Sequence, residues 1–502
     1  MPRESNMMRK PLSALLLGLL TGCSLIPAYH RPAAPIASTW PASASTGPNG
    51  PAAADIGWRQ FFADPALQSI IALGLQNNRD LRVAVLNVEQ AQAQYASDRA
   101  GLFPMVDGTG TLTRQHIPSD VAGFSSPENI QEYSLGAGTV SWELDLFGKI
   151  RSQAKAAEET YLSNADTALS TQISLVAEIA SNYYAWLADR ESLRVSQDTA
   201  TAQAHSLELT QMELSHGTAT AQDVAQAQSA LYTAQAAVSA YQRQVSADMD
   251  QLVLLAGTPL PGTLLTQMNA VPGLNAEPPL PKLPAGLPSD LLTRRPDIRA
   301  AEHQLMAANA NVGAARAAFF PSITLTANGG AASTKLNNLF AAGSGAWLFE
   351  PSISVPIFAA GQNFANLDIA KIEKQTQVAN YQKVIQSAFH DTADALNARE
   401  TYVTQVQAET QLVAADSTYY KLANMRFQGG IDSYLNVLVA QDLLLKARLS
   451  LIALKLAERQ NDITLYKALG GGWEETSTPA ATPATQQTQQ PSAQPMQLAP
   501  GN

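Results

Sequence analysis

Residues 291–327 read LLTRRPDIRAAEHQLMAANANVGAARAAFFPSITLTA. Pro296 opens a helix, because proline at the first helical position loses no hydrogen bond and has its φ already set. Phe320-Pro321 stops it, and Ser322 begins an alternating run. The same sentence occurs earlier in the chain. Asp80-Leu81-Arg82 matches Asp297-Ile298-Arg299, Arg99-Ala100 matches Arg316-Ala317, and Phe103-Pro104 matches Phe320-Pro321, each 217 residues apart (297 minus 80). A helix that runs into a strand, twice and at one long spacing, predicts an internal duplication.

The chain has 502 residues, 46% hydrophobic and 15% charged, with a net charge of −10. That acidic balance argues against a nucleic-acid partner, which requires a clustered basic face. One cysteine, Cys23, excludes an intramolecular disulfide and a cysteine-based metal site. Arg9-Lys10 and the apolar run Leu12 to Leu20 have the shape of a signal peptide. Leu20-Thr21-Gly22-Cys23 then has the form of a bacterial lipobox, which predicts a signal over 1–22 and a covalent lipid on Cys23. An ordinary signal cleavage site with a chance cysteine is the alternative. Ser24, rather than Asp, suits a lipoprotein sent to the outer membrane. Beyond residue 23 no apolar run is long enough for a transmembrane helix, so any crossing must be made by strands.

Residues 23–60 are rich in Pro, Ala and Ser up to Pro51 and should run extended as a tether. The first structural repeat spans 61–256. Asp64-Pro65 caps a helix whose apolar face is Leu67, Ile70, Ile71 and Leu75. A second helix follows from about Asp80 to Leu102, then a β-hairpin over 104–144, a long helix over 148–215 and a return helix over 220–256. In the long helix Leu169, Ile173, Val176, Ala180, Tyr183 and Leu187 recur at coiled-coil spacing. At 1.5 Å per residue it would be about 100 Å long. The second repeat, 290–470, has a helix over 297–320, a hairpin over 321–357, a long helix over 361–428 and a return helix over 434–469. A proline-rich linker, 257–289, joins the halves, and 471–502 is a polar end and disordered tail.

In the hairpins apolar residues alternate with Thr, Ser and Asn, in strands of a length that crosses a bilayer at a tilt. A pair of soluble hairpins is the alternative. Four strands cannot sit in hydrocarbon alone, because both sheet edges would leave backbone groups unpaired. Two copies of the chain would make a barrel filled by its own side chains; three would make twelve strands with room for a lumen. Trp142, Trp347 and Phe349 suit either an interfacial girdle or core packing.

No catalytic constellation is visible, and the chain is read as a non-enzyme without cofactor or metal. His390 and Asp394 lie one helical turn apart with no third ligand near. Function concentrates at the two helix tips. Leu209, Met212, Gly217 and Val224 match Leu422, Met425, Gly430 and Val437 at a spacing of 213 (430 minus 217). Gly217 and Gly430 supply the left-handed residue that ends a helix. Asp223, Gln226, Asp432, Tyr434, Leu435, Asn436, Val439 and Asp442 are the candidate gate residues. Repeated around a ring, such side chains narrow a tube and set its charge selectivity. Asp432 and Ser433 could equally be helix caps.

RRPDIRAAE followed by FFPSITL, together with WELDLFGKIR, the lipobox and the duplicated tips, resembles the lipoprotein outer-membrane factors of the TolC/NodT type. The resemblance covers nearly the whole mature chain. It implies a mainly α protein with a membrane β-barrel: a homotrimer with a shared twelve-stranded barrel above an α-barrel of long coiled-coil helices. It implies an outer-membrane exit duct extending into the periplasm, with a periplasmic adaptor and an inner-membrane RND-type transporter as partners. Acidic residues common in that family at the tip are replaced here by Asn436 and Val439. An acidic ring would then come from Asp223, Asp432 or Asp442, or be absent, with closure held by Tyr434, Leu435 and Val439. A protein-secretion duct and a lipid-tethered periplasmic scaffold remain alternatives on these residues.

Overall fold

The computed structural model describes residues 24–37, 40, 51–118, 128–284, 286 and 288–477. The signal segment, Cys23 and the tail beyond residue 477 lie outside the described residues. The first repeat contains α1 (Pro65–Asn77), α2 (Arg79–Ala100), β1 (Asp107–Ile117), β2 (Glu128–Glu143), α3 (Lys149–Ser215) and α4 (Ala221–Ala256). A short helix, α5 (Gly262–Ala270), lies in the linker. The second contains α6 (Pro296–Ala317), β3 (Ser322–Ser333), β4 (Gly345–Ser354), α7 (Gln362–Gln428) and α8 (Tyr434–Ala468). The two rods, α3 and α7, are each 67 residues long. The drop in repeat spacing arises in the first hairpin, where β2 has 16 residues against 10 in β4.

Local chemistry sets the boundaries. Asp64 caps α1 by accepting from Ala66 N–H, and Pro65 is its first residue. Asn78 ends α1 and caps α2 by accepting from Leu81 N–H at 3.0 Å, while its amide donates to the Leu255 carbonyl. Gly257 ends α4 at φ +69°, and a Cβ there would collide with the Asn77 carbonyl. That position therefore accepts no larger residue without strain in two respects.

The chain's apolar core lies across the middle of the helices rather than at either end. Trp58, Phe61, Phe62, Leu67, Ile70 and Ile71 meet Ile179, Tyr183, Tyr184, Trp186 and Leu187 of α3 and Tyr466 of α8. Phe61 stacks on Tyr466 at 4.0 Å. Of the heptad residues, Ile173, Val176, Ala180, Tyr183 and Leu187 are buried and Leu169 is half-buried. The linker belts this level. Leu264, Met268, Leu274, Leu280 and Leu283 are buried, and Arg190, Arg399 and Arg459 donate to its carbonyls at Met268, Leu283 and Glu277. Residues 474–477 close the belt: Trp58 N–H donates to the Glu474 carbonyl and Gly57 N–H to Ser477 Oγ.

The N-terminal segment is extended along α6. Arg31 holds Glu302 with two hydrogen bonds of 2.7 and 2.8 Å, Tyr29 donates to the same carboxylate, and Asn309 donates to the Pro27 carbonyl.

The strands form one antiparallel sheet, ordered β1-β2-β3-β4. One face carries Leu112, Leu135, Ile323, Leu325, Phe349, Trp347 and Ile353; the other is mainly Thr, Ser, Asn and Gly, by strand alternation and register. Trp347 is 81% and Phe349 60% exposed. Neither packs in a core of this chain. A bulge between Thr139 and Trp142 bends β2 where Ser141 takes φ +53°. Among the described residues no helix is long and apolar enough to cross a membrane.

Asp189 of α3 and Asp248 of α4 form a carboxyl pair in which Asp248 is buried and accepts from Gln244 at 3.1 Å. Burial, reinforced by Asp248, pushes Asp189 up to about 7. Burial likewise lifts Glu277 to about 7 and Asp462 to about 6. An unfolded chain releases these protons near its ordinary carboxyl value of about 4, whereas the folded protein keeps them. The stability these three groups contribute should therefore fall as pH rises from about 4 to about 7 and level off above. Asp248→Asn, which leaves Asp189 a permanent amide partner, should flatten part of that slope in melting curves taken across the range. Parallel curves for the two proteins would contradict the assignment.

Candidate functional site: the helix tips

The rods turn back at two hairpins that pack on each other. Ala227 of α4, Ala423 of α7, and Tyr434, Val437 and Ala440 of α8 form a small buried cluster, with Leu207, Tyr420, Phe427 and Leu438 against it. The Phe427 and Tyr434 rings lie 5.3 Å apart. Alanine at Ala227, Ala423 and Ala440 lets the helices approach closely enough for Tyr434 to fill the gap. Gly217 and Gly430 take φ +74° and +69°, and a Cβ at either would meet nothing within 4 Å. They are needed for backbone conformation alone.

The candidate carboxylates are all engaged locally. Asp223 accepts from the Thr220 hydroxyl at 2.7 Å and the Thr220 N–H at 2.8 Å, closing a capping box at the start of α4. Those bonds hold its carboxyl below the usual range. Asp432 pairs with Arg426 Nε at 2.5 Å across the turn. Asp442 pairs with Lys446 at 2.8 Å, one helical turn on. Ser433 is the N-cap residue of α8, but its side chain makes no cap bond. The cap role open to Asp432 and Ser433 is thus not the one either side chain fills.

Tyr434 is 8% exposed and turned into the protomer, whereas Leu435 is 51% and Val439 44% exposed. The three expected closure residues therefore divide. Tyr434 belongs to the tip's own core; Leu435, Val439 and Asp442 lie on one exposed stripe of α8 at helical spacing. Asn436 is exposed beside them, and Gln226 is half-buried on α4.

Sequence reasoning missed the partners that engage the tip carboxylates: Thr220 by hydrogen bonds, and Arg426 and Lys446 by charge. Two of them had a readable signal. Thr220 stands three residues before Asp223, the capping-box interval, and Asp442 precedes Lys446 by four. Arg426–Asp432 spans a non-helical turn and obeys no fixed spacing. His390 sits on an exposed face, 3.3 Å from Asp394 and 3.6 Å from Asp391. Among the described residues no group of three or more His, Cys, Asp or Glu could hold a metal.

A rod-and-sheet protein duplicated in this way has known counterparts. The model of the outer membrane efflux protein family matches residues 70–258 and 287–471, one stretch in each repeat. The chain belongs to the outer membrane efflux protein family. The toluene efflux pump outer membrane protein TtgC of Pseudomonas putida is 47% identical over 480 residues, covering 95% of this chain and 98% of that protein. The outer membrane protein OprJ of Pseudomonas aeruginosa is 37% identical over 474 residues, covering 93% and 98%. Among solved structures, the open state of the Neisseria gonorrhoeae MtrE outer membrane channel superposes with a TM-score of 0.83 at 34% identity, covering 91% of this chain and all of that one. This chain is an outer-membrane channel component of an efflux system, and its family gives no indication of enzymatic activity.

Because Tyr434 fills the tip core and Leu435 faces outward, their replacements should differ. Tyr434→Ala should cost about 3 kcal/mol or more of local stability, and Leu435→Ala within about 0.5 kcal/mol. Amide hydrogen exchange over 420–440 would read both; equal protection in the two variants would contradict this packing.

Proposed function

We propose that the chain is one third of a closed exit duct. Three copies would share a twelve-stranded barrel in the outer membrane and continue below it as an α-barrel tunnel through the periplasm. The observation that carries this reading is the open sheet. Strands β1 and β4 are both edges, and the apolar face is large and exposed. Inside a bilayer those edges must be paired, and three copies give the smallest closed ring with a lumen. The helices support the same closure. No residue of α2 is buried, and α7 is buried only between Tyr381 and Leu396 and at Ala423, so both flanks await neighbours.

In this reading the lipid on Cys23 enters the inner leaflet of the outer membrane, and the extended segment beyond it runs down α6 toward the equatorial belt. A periplasmic adaptor meets the tips, and an inner-membrane RND-type transporter supplies the energy, since the duct itself performs no chemistry. The cargo is inferred to be small and largely apolar solutes, as the names of the efflux relatives suggest. Those names favour this over a protein-secretion duct or a periplasmic scaffold.

Closure at the tip rests on Leu435 and Val439, the exposed stripe that a ring of three would repeat around its axis. Replacing both by Ala should raise single-channel conductance severalfold in planar bilayers, on the order of what widening a constriction allows. Unchanged conductance would remove these residues from the gate, and absence of any channel current from the unmodified protein would refute the duct.

A further inference from the structure

We infer that the duct prefers cations and that this preference is set inside the β-barrel, by Asp107, Glu132 and Glu350, rather than at the periplasmic tip. The inference rests on the barrel reading above and assigns the charge selectivity of that same duct.

The strands sort their charges by face. Register pairs Asp107 with Gly138, Glu132 with Thr113, and Glu350 with Thr326. Strand alternation puts these acids, and Glu143 opposite Thr324, on the polar face. Arg114 and His116, the basic side chains of the strands, pair with Gln131 and Asn129 and lie in the rows of Leu112 and Leu135, on the opposite face. His116 is held there by a 2.8 Å hydrogen bond with Asn129. A barrel in lipid turns its apolar rows outward, so the acids face the lumen and the bases do not.

Glu143 is discounted because Lys149 neutralises it at 3.1 Å. Among the described residues no ion pair forms to Asp107, Glu132 or Glu350. Their positions are also spread. From Glu132 to Gly138, the partner of Asp107, is six ladder positions, about 20 Å along the strand. Repeated in three copies, they form successive acidic rings, and the described residues of the four strands place no basic side chain on that face. The surrounding hydrocarbon has a low dielectric constant and concentrates their field in the water of the lumen. The tip presents the opposite case. Asp432 and Asp442 each have a cation at 2.5 and 2.8 Å, and Asp223 is turned back onto its own helix end. A ring of paired charges exerts little net force on a passing ion, whereas a ring of unpaired carboxylates favours cations.

The test is the zero-current potential of the full-length protein in planar bilayers across a KCl gradient. The unmodified channel should show the sign of potassium preference. The combined substitution Asp107→Asn, Glu132→Gln and Glu350→Gln should bring that potential roughly halfway to zero or further, while removing both tip pairs whole, Arg426→Gln with Asp432→Asn and Asp442→Asn with Lys446→Gln, should leave it close to the unmodified value. These side chains are exposed in the protomer, and open channels in each variant show that it has folded. A barrel variant that keeps full selectivity, a tip variant that abolishes it, or an unmodified channel that prefers chloride would overturn the inference while leaving the duct intact. An unmodified protein that carries no current at all would instead remove the duct reading on which the inference stands.

Discussion

A sheet of four strands ends in two rows of unpaired backbone N–H and C=O groups, and hydrocarbon offers nothing to bond them. The rest of the molecule is organised around that requirement. β4 carries Trp347, Phe349 and Ile353 on one exposed face and β1 is a strand of eleven residues, both long for bare edges, yet the chain supplies no fifth strand among its described residues. The duplication gives each protomer two hairpins joined side by side through β2 and β3, and so an arc rather than a barrel. In the proposed reading, closure then belongs to the assembly. It demands that helices below the arc also leave their flanks unsatisfied, as α2 and the ends of α7 do.

The stabilising core sits elsewhere. Trp58, Phe61, Phe62, Tyr183, Trp186 and Tyr466 gather at the middle of the rods, where the linker and residues 471–477 wrap around them. The rods extend from this belt in two directions with little apolar burial of their own. Toward the sheet they present exposed flanks, which the proposed assembly would cover. Toward the tip they are held by a cluster built mostly of alanines and one tyrosine. Such a distribution keeps the equator rigid and leaves the tips at the low end of local stability, where an element that must open has to be.

Most of this architecture was legible in the chain. The paired stretches at Asp80 and Asp297, the glycines at 217 and 430, and the proline- and glycine-free rods announce two copies of one plan, and the elements begin and end within a few residues of those signals. Period changes at Pro104 and Pro321 marked where helix becomes strand. The residue-level chemistry of the tip was less legible. Tyr434, Leu435 and Val439 read alike as bulky tip residues, but one faces the protomer's core and the others its surface. That distinction depends on which of four helices approaches, not on local pattern. Likewise Asp432 read as a cap or a gate charge and is tied to Arg426, a partner fixed only by how the turn folds. The bulge at Thr139–Trp142, which nothing in the local sequence requires, sets Trp142 on the apolar face and Glu143 on the polar one.

The central claim is that the four strands of one chain find their missing partners in two more copies. The most direct measurement is the protein mass of the detergent-extracted molecule by light scattering, corrected for bound detergent. A mass of three processed chains is predicted, each lighter than the 53.3 kDa of the full sequence by the signal segment. A monomer that stays folded without detergent once its lipid is removed would mean that the sheet edges need no partners, and the shared barrel would have to be abandoned.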